Sequence, residues 1–207
     1  MIGVLDYGVG NLASVINMFK KVGVNACLVK SEVELMQVEK CILPGVGAFD
    51  HGMSKLKQAD YFQLLEQRVL QESMPILGIC LGMQLLFEAS EEGELSGLGW
   101  LSGKVKRFHF SDPAYKVPHM GWNRVRPTRE NSLLDKSSDE LRFYFVHSYY
   151  VCPSDPSVIL ATCDYGGEFT SAVNYQNIYG MQFHPEKSHK FGMEVFKKFA
   201  TLETVSC

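Results

Sequence analysis

The sequence predicts an α/β fold: one domain over residues 1–207, with a mainly parallel sheet flanked by helices and antiparallel strands added in the second half. Three observations predict it. Short apolar runs alternate with helix-patterned segments through the first hundred residues. Three of those runs end in glycine-rich loops, DYGVGN (6–11), PGVGAF (44–49) and GICLG (78–82). From about residue 104, strand-like runs follow one another with few helices between them.

The elements follow in order. MIGVLDY is a buried strand that ends in an acidic residue and a glycine turn. Asn11 is placed to cap a helix, and Leu12, Val15, Ile16 and Phe19 fall on one helical face before Gly23 ends it. NACLVK (25–30) is a second strand, SEVELMQ a short helix, and KCILPG (40–45) a third strand. Residues 50–72 read as helical, with Phe62, Leu65 and Val69 on one side. PILGI (75–79) is a fourth strand, and a helix starts at Leu81. Right-handed crossovers would put the loop after each strand on one rim, so all three glycine-rich loops are expected to line one crevice. The later runs KVKRF, WNRVRP, LRFYFVHSYYV, SVILATCDYG, FTSAVNY and IYGMQF read as added antiparallel strands. A last helix spans about His189 to Leu202, with Ser188 as its expected N-cap and Val195, Phe196 and Phe199 inward.

Charge and composition narrow the function. The net charge is −3, and no basic run stands out, which argues against a nucleic-acid or anionic-membrane partner. No apolar stretch is long enough to cross a bilayer, and the N-terminus lacks a basic n-region, so a cytoplasmic location is expected. Six cysteines (27, 41, 80, 152, 163 and 207) show no paired spacing and no CxxC, so neither a disulfide framework nor a zinc site is expected. Most read as small core hydrophobes or bystanders. No metal or cofactor is called for, and neither DYGVGN nor PGVG has the Lys-Ser/Thr of a phosphate loop.

Cys80 differs from the other five. It sits where a strand meets a helix, with Gly78 and Gly82 two residues to either side. A strand–turn–helix corner strains its central residue, needs small neighbours at ±2, and throws the corner side chain out of the sheet. A thiol there lies near a helix N-terminus and suits attack on a carbonyl. G-x-C-x-G alone also fits a buried cysteine in a glycine-rich turn. A partner base tips the balance. His184, in MQFHPEKS, follows an apolar strand, and Glu186 can fold back to its far nitrogen. His51, His109 and His189 read as surface residues. The Leu81 N–H supplies one oxyanion donor, and PGVG is placed to supply another.

GICLGMQ (78–84) with QFHPEKS (182–188) resembles the class I glutamine amidotransferases, whose Cys-His-Glu triad hydrolyses glutamine to glutamate and ammonia. Together with DYGVGN, LPGVGAF (43–49), VPHMGWN (117–123) and FYFVHSYY (143–150), the resemblance runs end to end. It is most specific to the glutaminase subunits of imidazole glycerol phosphate synthase. It implies a single glutamine amidotransferase domain, with Cys80 as nucleophile, His184 as base then acid, and Glu186 as orienter. It places the oxyanion hole at the Val46 peptide and the Leu81 N–H, and the polar ends of glutamine against Gly47, Gln84, Ser148 and Tyr149.

It also implies a heterodimer with a (β/α)8-barrel cyclase, which uses the ammonia to make imidazole glycerol phosphate and AICAR in histidine biosynthesis. Asn11, Trp122, Tyr144 and Lys187 are the expected docking residues; core packing is the other reading of Trp122 and Tyr144. The family's oxyanion peptide must reorient before it donates, so low activity is expected of the chain alone. Three alternatives remain: a paralogue feeding another synthase such as surface-sugar amidation, a non-enzymatic redox-sensing thiol protein, and a cysteine peptidase. Gln84, PGVG and HSYY argue against the last.

Overall fold

The alternation of apolar runs and helical faces is realised as a mixed sheet in the computed structural model, which describes residues 1–137 and 140–202. Strands β1 (Ile2–Leu5), β2 (Ala26–Val29), β3 (Lys40–Leu43) and β4 (Ile76–Ile79) pair in parallel in the order β2-β1-β3-β4. Their connections are helices α1 (Leu12–Lys21), α2 (Glu32–Met36), α3 (Phe49–Lys57) and α4 (Phe62–Leu70); α5 (Leu81–Leu85) follows β4. The side-chain period of two sends each strand to both faces. Ile2, Val4, Ile42, Leu77 and Ile79 join one core with α1 and with α6 (His189–Thr201), where the Phe19 and Phe196 rings lie 4.6 Å apart. Leu5, Cys41, Leu43 and Ile76 join the opposite core with α2, α3, α4 and α5.

The remaining strands are β5 (Ala89–Ser90), β6 (Gly103–Arg107), β7 (His119–Pro127), β8 (Arg142–His147), β9 (Tyr149–Pro153), β10 (Ile159–Asp164), β11 (Glu168–Tyr175) and β12 (Ile178–Met181). The sheet continues from β4 as β12-β11-β10-β7-β8, with β5, β6 and β9 branching off. The β11, β10, β7 and β8 ladders are antiparallel, as expected.

Four expectations change. β12 pairs with β4 in parallel, so a strand from the far half completes the parallel core. Residues 50–72 form two helices, broken at 58–61, where the α3 faces turn from Met53 and Leu56 to a buried Tyr61. LRFYFVHSYYV is split at Ser148, because β8 pairs with β7 while β9 pairs with β6. DYGVGN does not line the crevice; it lies behind PGVG, where the Tyr7 hydroxyl donates to the Pro44 carbonyl over 2.5 Å.

Ser188 stands at the N-cap position of α6, as expected, but its side chain makes no capping hydrogen bond. Its buried hydroxyl donates to the His184 carbonyl (2.6 Å) and accepts the Tyr144 N–H (3.0 Å). Asn11 does cap α1, accepting from the Ser14 N–H. Among the described residues no helix is long and apolar enough to cross a membrane. Cys207 lies outside the described residues; Cys41 and Cys163 are free and buried, and burial pushes both up to about 12.

Ser188→Ala leaves a buried N–H and a carbonyl without that partner. It is expected to lower stability by about 1–3 kcal/mol, measured by urea unfolding.

Candidate active site

Cys80 occupies the turn between β4 and α5 with φ +54° and ψ −109°, a left-handed strain that a side-chain-bearing residue rarely tolerates. The flanking glycines make it possible. A Cβ on Gly78 would stand 2.6 Å from the Gly82 carbonyl oxygen, and one on Gly82 would stand 1.9 Å from the Leu43 carbonyl oxygen. The backbone of α5 thus lies directly on β3 and β4. The Leu81 N–H, first amide of that helix, has no intrahelical acceptor. At five residues α5 is short, so its dipole is a weaker aid to an anion than the strand–helix motif suggests.

β12 runs beside β4 with Ile79 opposite Met181, which carries the chain to His184 next to the corner. The imidazole is 1% exposed and Nδ1 lies 2.7 Å from Glu186 Oε1. Glu186 sits in a single 3-10 turn, Pro185–Lys187. Burial alone works against the imidazolium. The hydrogen-bonding and charge of Cys80 and Glu186 outweigh it and push His184 up to about 10. The Nε2 of His184 is buried with no other hydrogen-bond partner among the described residues, which leaves Cys80 as the group that acts on that side of the ring.

The two groups meet in a cavity of about 460 Å³ that Val46, Gly47, Gln84, Ser148 and Tyr149 also line, with Leu81. All of the expected nucleophile, base, oxyanion and substrate positions are therefore brought together here except Glu186, which acts from behind His184. Gly47 holds φ +100°, and Val46 is 44% exposed at the rim. Gly45 packs against the corner, where a Cβ would come within 2.7 Å of the Gly82 N. Gln84 lines the cavity with one end of its amide already engaged. Its Nε2 is engaged by the Tyr149 carbonyl and by Gln182 Oε1, both at 3.1 Å, which leaves its oxygen for a ligand.

Sequence reasoning missed three features. Glu92 lines the cavity and accepts the Phe49 N–H (2.9 Å), although an acidic residue in a polar turn carries no motif. Gln182 lies buried beside Cys80; its place two residues before His184 was the available signal. His119 and His147 form a buried pair, Nδ1 to Nε2 at 2.9 Å, and His147 Nδ1 donates to the Tyr149 carbonyl (2.8 Å). Desolvation drives them down to about 4 and about 3, so both are neutral.

The expected docking residues lie outside the cavity lining, three of them exposed and Tyr144 half-buried. Trp122 is 47% exposed, which excludes core packing for it, and it meets the half-buried Tyr144 edge-on. Lys187 lies over the Tyr144 ring at 5.6 Å, and Asn11 is exposed. Val146, two residues along β8 from Tyr144, lines the cavity, so the aromatic face borders its mouth.

A cysteine corner beside a buried His–Glu pair is an arrangement with the parts that acyl transfer through a thiol requires. The family model for class-I glutamine amidotransferases matches residues 3–202, and the chain belongs to that family. Among its relatives, imidazole glycerol phosphate synthase subunit HisH 2 of Pseudomonas aeruginosa is 52% identical, covering 98% of this chain and 100% of the relative. The subunit HisH of Leptospira borgpetersenii is 49% identical over 98% of this chain and all of the relative. A crystal structure of a glutamine amidotransferase superposes with a TM-score of 0.75 at 19% identity, covering 97% of this chain and 99% of the other, and shows the shared fold.

Two outcomes follow. Gly82→Ala is expected to cost at least about 3 kcal/mol in urea unfolding, because its Cβ has no space against the Leu43 carbonyl. The folded-state value of His184, about 10, stands above its ordinary 6.5, so the stability it contributes is complete below pH 6.5 and is lost as pH rises through 10. Glu186→Gln is expected to lower the His184 titration midpoint, followed by NMR of the imidazole. The stability gap from the parent chain should be widest below pH 6.5 and shrink toward pH 10.

Proposed function

We propose that the chain is the glutaminase subunit of an imidazole glycerol phosphate synthase, a cytoplasmic enzyme of histidine biosynthesis, acting as one domain over residues 1–207. The observation that carries this reading is the strained Cys80 corner set beside the buried His184–Glu186 pair in one cavity. The family membership and the names of the similar relatives support it.

In this reading the Cys80 thiolate attacks the side-chain amide carbon of glutamine. The oxyanion is held by the Leu81 N–H and the peptide at Val46. His184, protonated at rest and oriented by Glu186, gives its proton to the leaving nitrogen, and ammonia departs from a thioester. The imidazole, now neutral, takes a proton from water, whose oxygen attacks the thioester. Glutamate leaves, and the thiolate–imidazolium pair returns. Glu92 and the free oxygen of Gln84 suit the α-ammonium, and Gly47, Ser148 and Tyr149 the rest of glutamine's polar groups. Asn11, Trp122, Tyr144 and Lys187 then meet a (β/α)8-barrel cyclase that receives the ammonia.

A second reading keeps the chemistry and changes the recipient synthase. One observation favours it: relatives from P. aeruginosa, Methanococcus maripaludis and Vibrio vulnificus carry the number 2 in their names. Glutamate release from glutamine, measured for the chain alone and with a cyclase barrel carrying its nucleotide ligand, tests both. Low activity alone, a large rise with the barrel, and a loss of at least about a thousandfold in Cys80→Ser are expected. Slow Cys80-dependent turnover without any rise would favour the second reading. No Cys80-dependent turnover would overturn both.

A further inference from the structure

The thiol of Cys80 has two polar neighbours with opposite preferences. The Val146 carbonyl, 4.0 Å from Sγ, accepts from a thiol and repels a thiolate. The Gln182 amide, with Nε2 at 3.7 Å, donates to a thiolate. Which way that amide faces is decided elsewhere. The Tyr149 carbonyl can only accept, so Gln84 must turn its NH2 toward it (3.1 Å). The second hydrogen on the same nitrogen meets Gln182 Oε1 (3.1 Å). With its oxygen taken, Gln182 can present only its NH2 to the sulfur. The Tyr149 carbonyl is itself fixed by the neutral His147, which His119 and Asn123 buttress in turn (2.9 and 3.2 Å). Each link has one solution, and the relay ends at the sulfur.

We infer that Gln182 is a further catalytic residue of this site, one that holds Cys80 as the thiolate, with Gln84 as the positioning residue that aims its amide. Gln182 is fully buried and Cys80 is 7% exposed, so the N–H acts where little solvent competes with it. Its amide makes a formed side-chain hydrogen bond to the sulfur, beside the coupling of Cys80 to His184. The short α5 makes this contribution more consequential. The inference rests on Cys80 being the nucleophile and adds the group that keeps it ready.

The other titratable groups around the sulfur are His184 with Glu186, His147 and Tyr7, and Glu92 lines the same cavity with its carboxyl raised by burial. Burial raises Tyr7 far above its ordinary range and lowers His147 to about 3, so neither changes charge from pH 5 to 9. The test is the rate at which iodoacetamide alkylates Cys80 in the full chain between pH 5 and 9, followed by the mass of the Cys80 peptide. Gln182→Met removes the donor at similar volume, and Gln84→Met leaves the donor in place but unaimed.

Gln182→Met is expected to alkylate about tenfold more slowly at neutral pH, with its pH midpoint raised by about one unit. Gln84→Met should shift the same way by less. Midpoints equal to that of the parent chain in folded variants would overturn the inference. So would loss of the fold in both variants, which would make the relay purely structural; if only Gln182→Met unfolds, Gln84→Met decides. An ordinary thiol profile for Cys80 in the parent chain is a separate result and would remove the nucleophile reading itself.

Discussion

The strained corner at Cys80 is the constraint on which the rest of the site depends. Holding a cysteine at φ +54° is unfavourable by about 1–3 kcal/mol, so the surroundings must over-determine it. They do so by close backbone packing. Gly78, Gly82 and Gly45 let three peptide segments approach one another at distances where no Cβ fits. The same helix buries Leu81, Met83 and Leu85 completely or nearly so, which anchors the strained turn to the core of α3 and α4. One consequence is positional. PGVG is drawn against the corner by Gly45 and steadied from behind by Tyr7, so the candidate oxyanion peptide and the thiol share a frame.

Electrostatics then divides three buried histidines by their partners alone. His184 faces a carboxylate and a thiol and is held charged. His147 faces a backbone carbonyl and another imidazole, so desolvation wins and it stays neutral; His119 stays neutral with it. The neutral pair therefore supplies geometry without charge, and among the described lining residues the cation is His184, beside the sulfur.

Much of this was legible in the sequence. The first-half elements announced themselves through apolar runs and helical faces, and Cys80, His184 and Glu186 through glycine spacing and an HPE motif. Pairing partners were not legible. IYGM has the same alternation whether it joins β4 in parallel or a hairpin, and only the tertiary context selects β4. The break at Ser148 was hidden because both halves of FYFVHSYY favour strand. Gln182, Glu92 and the histidine pair carry no local signature, since a buried polar side chain is defined by its satisfied partners and those lie from 28 to more than 100 residues away. Trp122 could have been core or surface, and its register opposite Tyr144 on β8 settled that.

The pairing of β4 with β12 joins residues about a hundred positions apart, Ile76 to Ile178 and Ile79 to Met181. During synthesis from the N-terminus, the thiol exists long before its histidine and carboxylate do. Until β12 inserts, Cys80 is one more cysteine in an unfinished sheet. Closing a loop of this length is among the slow steps of folding, because its entropy is lost before any contact rewards it. Cys80, His184 and Glu186 are thus brought together only once β12 has taken its place beside β4.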